Sequence, residues 1–160
     1  MESFLITNSE ILTKLSLAVL FGLIIGVERL LGHKEAGMKT HAMVALGACL
    51  FVIISEMLAD RYAGFGGFDA SRIASQIIVG IGFLGAGSII LHDNRLTGLT
   101  TASGVWVTAG IGMAVGFGFY SLAVLATVYV MTIFILISLL ERPVVKIIND
   151  KSKNQDTNQK

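Results

Sequence analysis

Long apolar stretches separated by short polar ones dominate the pattern of this chain. Between Leu15 and Leu140 the charged residues gather at the ends of these stretches, and the stretches themselves carry few charges. About 20 mainly apolar residues are enough for a helix that crosses a membrane. The pattern therefore predicts an all-α, polytopic membrane protein with five transmembrane helices, over residues 12–30, 41–58, 72–91, 101–115 and 120–140.

The segments between the predicted helices are short. Residues 116–119, with the sequence GFGF, leave room only for a tight hairpin between helices four and five. The glycines of residues 60–70 indicate a loop rather than a sixth span. After Pro143 the chain becomes too polar to fold alone. We expect a five-helix transmembrane domain over residues 1–143 and a short polar cytoplasmic tail over residues 144–160.

Composition supports a membrane location. Of the 160 residues, 54% are hydrophobic and 14% are charged, and the mean hydropathy is +0.76. Soluble domains are roughly 25% charged, so this chain is too apolar for an ordinary water-facing surface. The net charge of +1 gives no indication of nucleic-acid binding. The first ten residues lack the basic start of a signal peptide, and we expect the apolar segments to remain in the mature protein.

Lysine and arginine are distributed unevenly between the two ends of the predicted helices. One side of the membrane holds only three of them, Lys14, Arg61 and Arg72. The other side holds nine, namely Arg29, Lys34, Lys39, Arg95, Arg142, Lys146, Lys151, Lys153 and Lys160. Because basic residues favour the cytoplasmic side, the N-terminus is predicted outside and the C-terminus inside.

The sequence GIGFLGAG, residues 80–87, begins with the glycine spacing of a dinucleotide-binding fingerprint. That fingerprint requires a preceding strand and an acidic residue about 20 positions later. Here the glycines lie inside a continuous apolar run, and the next acidic residue, Asp93, follows the end of the helix. We interpret the match as accidental and expect no cofactor.

The glycines instead predict close helix packing, because small residues let helices approach each other in lipid. Helix one repeats small residues every four positions, and helix four carries a stripe of glycine and threonine. Helix three has small residues on two opposite faces, which predicts two close neighbours and a central place in the bundle. Ordinary packing is favoured over a hydrated path lined by these faces. The predicted packing glycines are Gly22, Gly26, Gly80, Gly82, Gly85, Gly87, Gly104 and Gly112.

Polar residues concentrate at the predicted cytoplasmic rim. Glu28 and Arg29 close helix one, and either they extend to the interface as a pair or they belong to a larger cluster that binds an ion, a phosphate-bearing ligand or a partner loop. That cluster would contain Glu28, Arg29, Lys39, Thr40, His41 and Arg95. Four further polar residues are placed within the membrane, namely Gln76, Thr100, Thr101 and Thr108.

No residue set predicts catalysis or a defined metal site. A metal site normally needs several His or carboxylate ligands at suitable spacing, and no single helix offers them. A catalytic triad, a paired carboxylate and a P-loop lysine are also missing from the sequence. Cys49 and Trp106 lie in apolar runs and are interpreted as packing residues. We expect a protein that is not an enzyme.

Three ordered blocks, residues 24–51, 72–90 and 98–120, resemble the MgtC/SapB family of bacterial inner-membrane proteins. The residues that match the family's motif are Gly26, Glu28, Arg29, Ala36, Gly37, Thr40, His41, Gln76, Gly80, Gly82, Phe83, Gly85, Ala86, Gly87, Gly98, Leu99, Thr100, Thr101 and Trp106. Lys39 stands where family members usually have arginine. Thr97 stands where a basic residue often precedes the glycine. Thr100 replaces an asparagine of the better-known virulence member. Longer members carry a soluble C-terminal domain that is expected to be missing here.

The resemblance implies a five-helix membrane domain and a link to survival at low magnesium and, in pathogens, to growth inside macrophages. It also implies action through other membrane proteins, among them the ATP synthase. The first hypothesis is a non-enzymatic modulator of another membrane protein, in magnesium or acid stress, that also self-associates. The alternative is a small divalent-cation transporter or channel acting as an oligomer. The centres of the predicted helices hold no acidic residue, which favours modulation.

Overall fold

The computed structural model describes residues 2–62, 69, 71–92 and 95–157, with side chains over 8–62, 69, 71–91 and 95–140. The described part contains five helices and one β-hairpin. In chain order they are α1 (Glu2–Leu31), α2 (Met38–Arg61), α3 (Ser71–Gly87), β1 (Ile90–His92), β2 (Arg95–Thr97), α4 (Leu99–Gly116) and α5 (Tyr120–Thr157). Most of the segment predicted as a loop, residues 63–68 and 70, lies outside the described residues.

Four helices are long and apolar enough to cross a membrane. Their spanning segments are Asn8–Leu31, Met38–Arg61, Leu99–Gly116 and Tyr120–Leu140. Helix α3 is apolar but has only 17 residues. The number of five spans and the orientation of the chain therefore stay predictions.

Three predicted helix boundaries are wrong. Helix α1 begins at Glu2, ten residues before the predicted start. Helix α5 does not end near Leu140 but continues through position 143 to Thr157. Since one proline does not stop the helix, the polarity of the last residues was a poor guide to their backbone. The division into domains at residue 143 stays a prediction. Helix α3 ends at Gly87, four residues before the predicted end.

A β-hairpin follows α3 where the sequence predicted helix. Strands β1 and β2 are antiparallel, with Leu91 opposite Leu96 and His92 opposite Arg95. Gly98 then connects β2 to α4 with a φ of 85°, in the left-handed region that favours glycine. A Cβ at this position would also overlap the backbone carbonyl of Ser88. Gly98 thereby fixes the first turn of α4 against the end of α3.

The central helix is α4, not α3. In α4, 56% of the spanning residues are buried, a larger share than in the other three spans. In α3 only Gly85 is buried. The prediction that α3 is the centre of the bundle is therefore wrong. Small residues make close packing possible, but here no described atom lies within 4 Å of a Cβ built on Gly80, Gly82 or Gly87.

The closest helix contacts within the chain involve other glycines. A Cβ on Gly22 would lie 2.7 Å from Ala42 Cα, and one on Gly26 would lie 2.9 Å from Met38 N, so α1 presses against the first turns of α2. A Cβ on Gly112 would lie 2.8 Å from Ala45 Cα, at the contact between α2 and α4. Gly116, which the sequence analysis did not select, continues that contact against Val52.

Candidate functional site

The last turn of α1 places a charged pair inside the bundle. Arg29 is 1% exposed, and its Nε donates a hydrogen bond to a carboxylate oxygen of Glu28. The Arg29 Cζ lies 3.5 Å from the centre of the Phe134 ring on α5. The carboxylate and the negative face of the ring both oppose the cost of burying the guanidinium. The guanidinium therefore joins α1 to α5.

The first turn of α2 buries a histidine completely. His41 Nδ1 lies 2.8 Å from Thr108 Oγ1 on α4, and Thr108 Oγ1 donates to the backbone oxygen of Gly104 over 2.7 Å. A hydroxyl has one proton to donate, so Nδ1 is the protonated nitrogen and donates to Thr108. His41 Nε2 is buried and has no hydrogen-bond partner among the described residues. The imidazole therefore ties α2 to α4 through one nitrogen only.

Gly104 brings these two groups together. A Cβ at this position would lie 3.1 Å from Phe134 Cζ, which would have to shift by a few tenths of an ångström, and in ordinary contact with His41 Cε1 at 3.5 Å, so glycine gives the Phe134 ring its close approach to α4. We call the resulting set the inner cluster. It consists of Glu28, Arg29, His41, Gly104, Thr108 and Phe134, and it links α1, α2, α4 and α5.

The predicted rim cluster forms only in part. Glu28, Arg29 and His41 belong to the inner cluster, whereas Lys39, Thr40 and Arg95 are exposed. Successive residues of a helix point about 100° apart, so Lys39 and Thr40 cannot share the direction of His41. Arg95 lies on the hairpin, which the sequence analysis did not predict.

Of the four polar residues predicted within the membrane, two are buried and two are exposed. Thr101 is 4% exposed and Thr108 is fully buried, whereas Gln76 and Thr100 are exposed. No described residue accepts or donates a hydrogen bond to the Gln76 amide. Within the described part of the chain, Gln76 therefore forms no side-chain hydrogen bond to a neighbouring helix.

A second charged group at the opposite end of α1 was missed. Lys14 is 8% exposed, and its Nζ lies 3.3 Å from Glu56 Oε2 on α2 and 3.3 Å from Glu10 Oε1. The spacing of four residues between Glu10 and Lys14 was the available signal, since such residues meet on one face of a helix. The partner on α2 had no signal in the sequence.

The arrangement suits structure more than ion chemistry. The described spanning segments hold four carboxylates; Glu10, Glu28 and Glu56 are each paired with a basic side chain, whereas Asp60, near the end of α2, forms no ion pair with a described residue. Throughout the described ranges, no group of three or more His, Cys, Asp or Glu side chains lies close enough to hold a metal ion. The inner cluster supplies fixed hydrogen bonds and one buried cation, which lock four helices together.

Comparison with known proteins identifies the family of this chain. The chain matches the sequence model of the MgtC family over residues 15–143. It is 42% identical over 131 residues to the protein named putative magnesium transporter YhiD of Escherichia coli strain K12, with 81% of this chain and 60% of that protein covered. It is 40% identical over 134 residues to protein SapB of Bacillus subtilis, with 82% and 56% covered. It is 39% identical over 131 residues to protein MgtC of Brucella abortus, with 82% and 51% covered.

The chain spans only 51–60% of the length of these three relatives. No solved structure matches it. The family match nevertheless covers most of the chain, including α2, α3 and α4 in full. With its four helices that can cross a bilayer, the chain is a multi-pass membrane protein and belongs to the MgtC family.

Proposed function

We propose that this chain is a non-enzymatic membrane protein that modulates another membrane protein during adaptation to low magnesium or acid stress. The ATP synthase or a transporter is the proposed partner, following the family resemblance. Contact would be made between helices inside the bilayer. The chain would also associate with further copies of itself.

The observation that carries this proposal is the open glycine surface of α3. Gly80 borders an apolar groove of about 480 Å³ between α2 and α3, and Gly82 borders another of about 600 Å³ between α3 and α4. Lipid offers little hydrophobic drive for helix association, so helices associate through close contact at small residues. Two open grooves beside glycines are suited to accept a helix from outside the chain.

The state of the carboxylates supports the same proposal. A path for a divalent cation needs carboxylate or carbonyl oxygens that can exchange with water. Three of the four carboxylates in the described spanning segments, Glu10, Glu28 and Glu56, have a basic partner, and the fourth, Asp60, lies at the end of α2. Fixed ion pairs at opposite ends of the bundle favour a structural role for the paired carboxylates.

The alternative is a divalent-cation transporter acting as an oligomer. One relative bears the name putative magnesium transporter, which is the specific observation in its favour. Grooves beside α3 could also close into a path when several copies assemble. This alternative predicts ion movement without any other protein.

Magnesium flux into proteoliposomes separates the two proposals. Purified chain would be reconstituted with a magnesium-sensitive dye inside, beside liposomes without protein. We expect equal flux in both, with insertion checked by protease protection. Faster flux in the protein liposomes would overturn the modulator proposal. Loss of that flux in Glu56→Gln, a carboxylate at the end away from the inner cluster, would then assign the path.

Growth of a bacterial strain without its own MgtC-family gene tests modulation directly. The chain would be expressed at limiting magnesium, at neutral and at acidic pH. We expect Gly80→Leu to abolish the growth benefit, because leucine fills the open groove. Gly110→Leu is the matched control, since Gly110 on α4 also has no described atom within 4 Å of a built Cβ. Equal growth with both variants, at equal membrane levels, would contradict the proposed contact at α3.

A further inference from the structure

A polar cavity lies where the α1–α2 loop meets the start of α4. Its volume is about 390 Å³, and it is separate from the inner cluster and from the grooves beside α3. The loop contributes His33, Lys34 and Glu35, and the other wall is residues 96–101, from β2 to the first turn of α4. Polar atoms form a much larger part of this lining than of the groove linings.

The first turn of α4 presents unpaired backbone donors to this cavity. Helix α4 has 18 residues, and its first internal hydrogen bond runs from Ala102 N to Gly98 O over 2.8 Å. The amides of the three preceding residues, 99–101, have no acceptor among the described residues. Gly98, at the cap position, has no side chain that could accept from them. The turn also contains no acidic residue.

A helix start of this kind carries a partial positive charge and favours an anion. At the cap position Ser, Thr, Asp and Asn are preferred, because their side-chain oxygen accepts a hydrogen bond from one of these donors. Here the rigid connection through Gly98, which excludes any side chain, leaves the donors open. The geometry therefore prepares the turn for an acceptor that is not part of the described chain.

Thr101 gives independent support for a ligand. It is 4% exposed and lines the cavity, yet its hydroxyl has no hydrogen-bond partner among the described residues. Buried hydroxyls are normally satisfied, and in helices they commonly bond to the backbone oxygen four residues earlier. Ser103 and Thr108 on the same helix do so, but the residue four positions before Thr101 is Thr97 on β2, so the helix offers Thr101 no such acceptor. Although the residue is nearly enclosed, its hydroxyl oxygen stays accessible from the cavity, where a bound acceptor can take its proton.

The charges of the loop add a cation to these donors. Neither Lys34 nor Glu35 forms an ion pair with a described residue, so the ammonium of Lys34 is free to meet an anion. Glu35 opposes an anion at the same cavity. Three groups favour an anion, namely the first-turn amides of α4, the Lys34 ammonium and the Thr101 hydroxyl, and among the described lining residues only Glu35 opposes it. All three are donors, so they suit an acceptor with several oxygens.

We propose that this cavity binds a phosphate group, through the first-turn amides of α4, the Thr101 hydroxyl and Lys34. The phosphate could belong to a lipid headgroup or to a free phosphate. The cavity opens at the end of the bundle that holds most basic residues, where both sources are accessible. The proposal does not depend on the modulatory function, because it concerns different residues and a different ligand.

Binding would be measured with purified full-length chain in nanodiscs. One arm titrates inorganic phosphate into phosphatidylcholine nanodiscs, and the other compares nanodiscs with and without phosphatidic acid by thermal stabilisation. We expect saturable binding in at least one arm. Thr101→Val and Lys34→Gln should each weaken it about tenfold, since each removes a charge-assisted hydrogen bond. Glu35→Gln should strengthen it.

Two control variants make the test specific. Thr127→Val removes a hydroxyl that is 5% exposed but bonded to Ala123 on α5, and Lys39→Gln removes a lysine that does not line the cavity. Both should bind like the unaltered chain. Lys34→Gln keeps the test decisive if Thr101→Val fails to fold, because Lys34 is exposed.

The arms distinguish the sources. Binding of inorganic phosphate assigns a soluble phosphate, and binding of phosphatidic acid alone assigns a lipid headgroup. No saturable binding in either arm would overturn the proposal. Equal binding in Lys34→Gln, Glu35→Gln and the unaltered chain would overturn it as well, because the bound phosphate would then lie elsewhere.

Discussion

Gly112 offers a sharp test of the packing between α2 and α4. A Cβ at this position would lie 2.8 Å from Ala45 Cα and 2.9 Å from the Ala45 carbonyl carbon. The Ala45 carbonyl oxygen lies closer still. Ordinary contact begins at 3.4 Å, so Gly112→Ala would have to push the two helices apart by at least about 0.6 Å. All three obstructing atoms belong to the backbone of α2 and cannot rotate away. The substitution must therefore move a helix.

The expected cost follows from that displacement. A gap of 0.5–1 Å forfeits about a quarter to a half of the dispersion energy at an interface, and overpacking of this kind costs about 1–3 kcal/mol. Alanine in place of glycine otherwise gains up to about 1 kcal/mol in a helix interior, which offsets part of the loss. Gly110→Ala is the matched control, because nothing lies within 4 Å of its Cβ and only the gain applies.

Thermal unfolding in detergent measures the difference. Trp106, the single tryptophan, lies on α4 and reports on this helix by fluorescence. We expect Gly110→Ala to melt at or above the temperature of the unaltered chain and Gly112→Ala to melt below it. At about 2–4 °C per kcal/mol, the two variants should differ by several degrees. Equal melting temperatures would refute the close approach of α2 and α4 at Gly112.

Substitutions at three further positions test the inner cluster and the contact of α3 by the same melting assay. Thr108→Val should lower the free energy of unfolding by about 1–3 kcal/mol, because it leaves both ring nitrogens of His41 without a partner; an unchanged melting temperature would argue against that hydrogen bond. Glu28→Gln should cost about 3–5 kcal/mol, because the buried Arg29 cation loses its counter-charge; stability equal to the unaltered chain would mean that the cation is hydrated. Gly85→Ala should be tolerated, since its Cβ would lie 3.6 Å from the nearest atom of α4, whereas Gly85→Leu should cost about 1–3 kcal/mol; equal stability of the two would place α3 farther from α4.

Hydropathy alone was sufficient for four helices of this fold. The windows that become α1, α2, α4 and α5 are continuous and apolar, and the tight turn at residues 116–119 was readable from its glycines. The hydropathy pattern did not predict the hairpin that follows α3. Residues 89–91 continue the apolar run of α3 without a break, so the sequence pattern does not separate strand β1 (Ile90–His92) from the end of the helix.

Glycine spacing could not reveal which neighbour covers a helix face. Gly22 and Gly80 lie in similar apolar surroundings in the sequence, yet a Cβ on the first would collide with α2 and a Cβ on the second would meet nothing. A small face is a local property, whereas the neighbour that covers it depends on the path of the whole chain. The central role of α4 was therefore hidden from the sequence.

The candidate site was predictable by residue type but not by partner. Glu28, Arg29, His41 and Thr108 stood out because polar groups are costly inside a membrane. Phe134 did not, because a phenylalanine within an apolar span has no distinguishing feature. Its role beside Arg29 depends on the position of α5, which only the three-dimensional arrangement supplies.

The length of α3 has a consequence for the surrounding lipid. At 1.5 Å per residue its 17 residues rise about 25 Å, which is about 5 Å less than the hydrocarbon core of a typical bilayer. The hairpin that follows exposes Leu91 and Leu96, which can extend the apolar surface beyond the helix. If α3 crosses the bilayer, either the bilayer thins around it or the hairpin enters the hydrocarbon core. The free-energy cost of this mismatch grows with the length of the acyl chains. The chain would then favour thin membranes and respond to changes in lipid composition around α3.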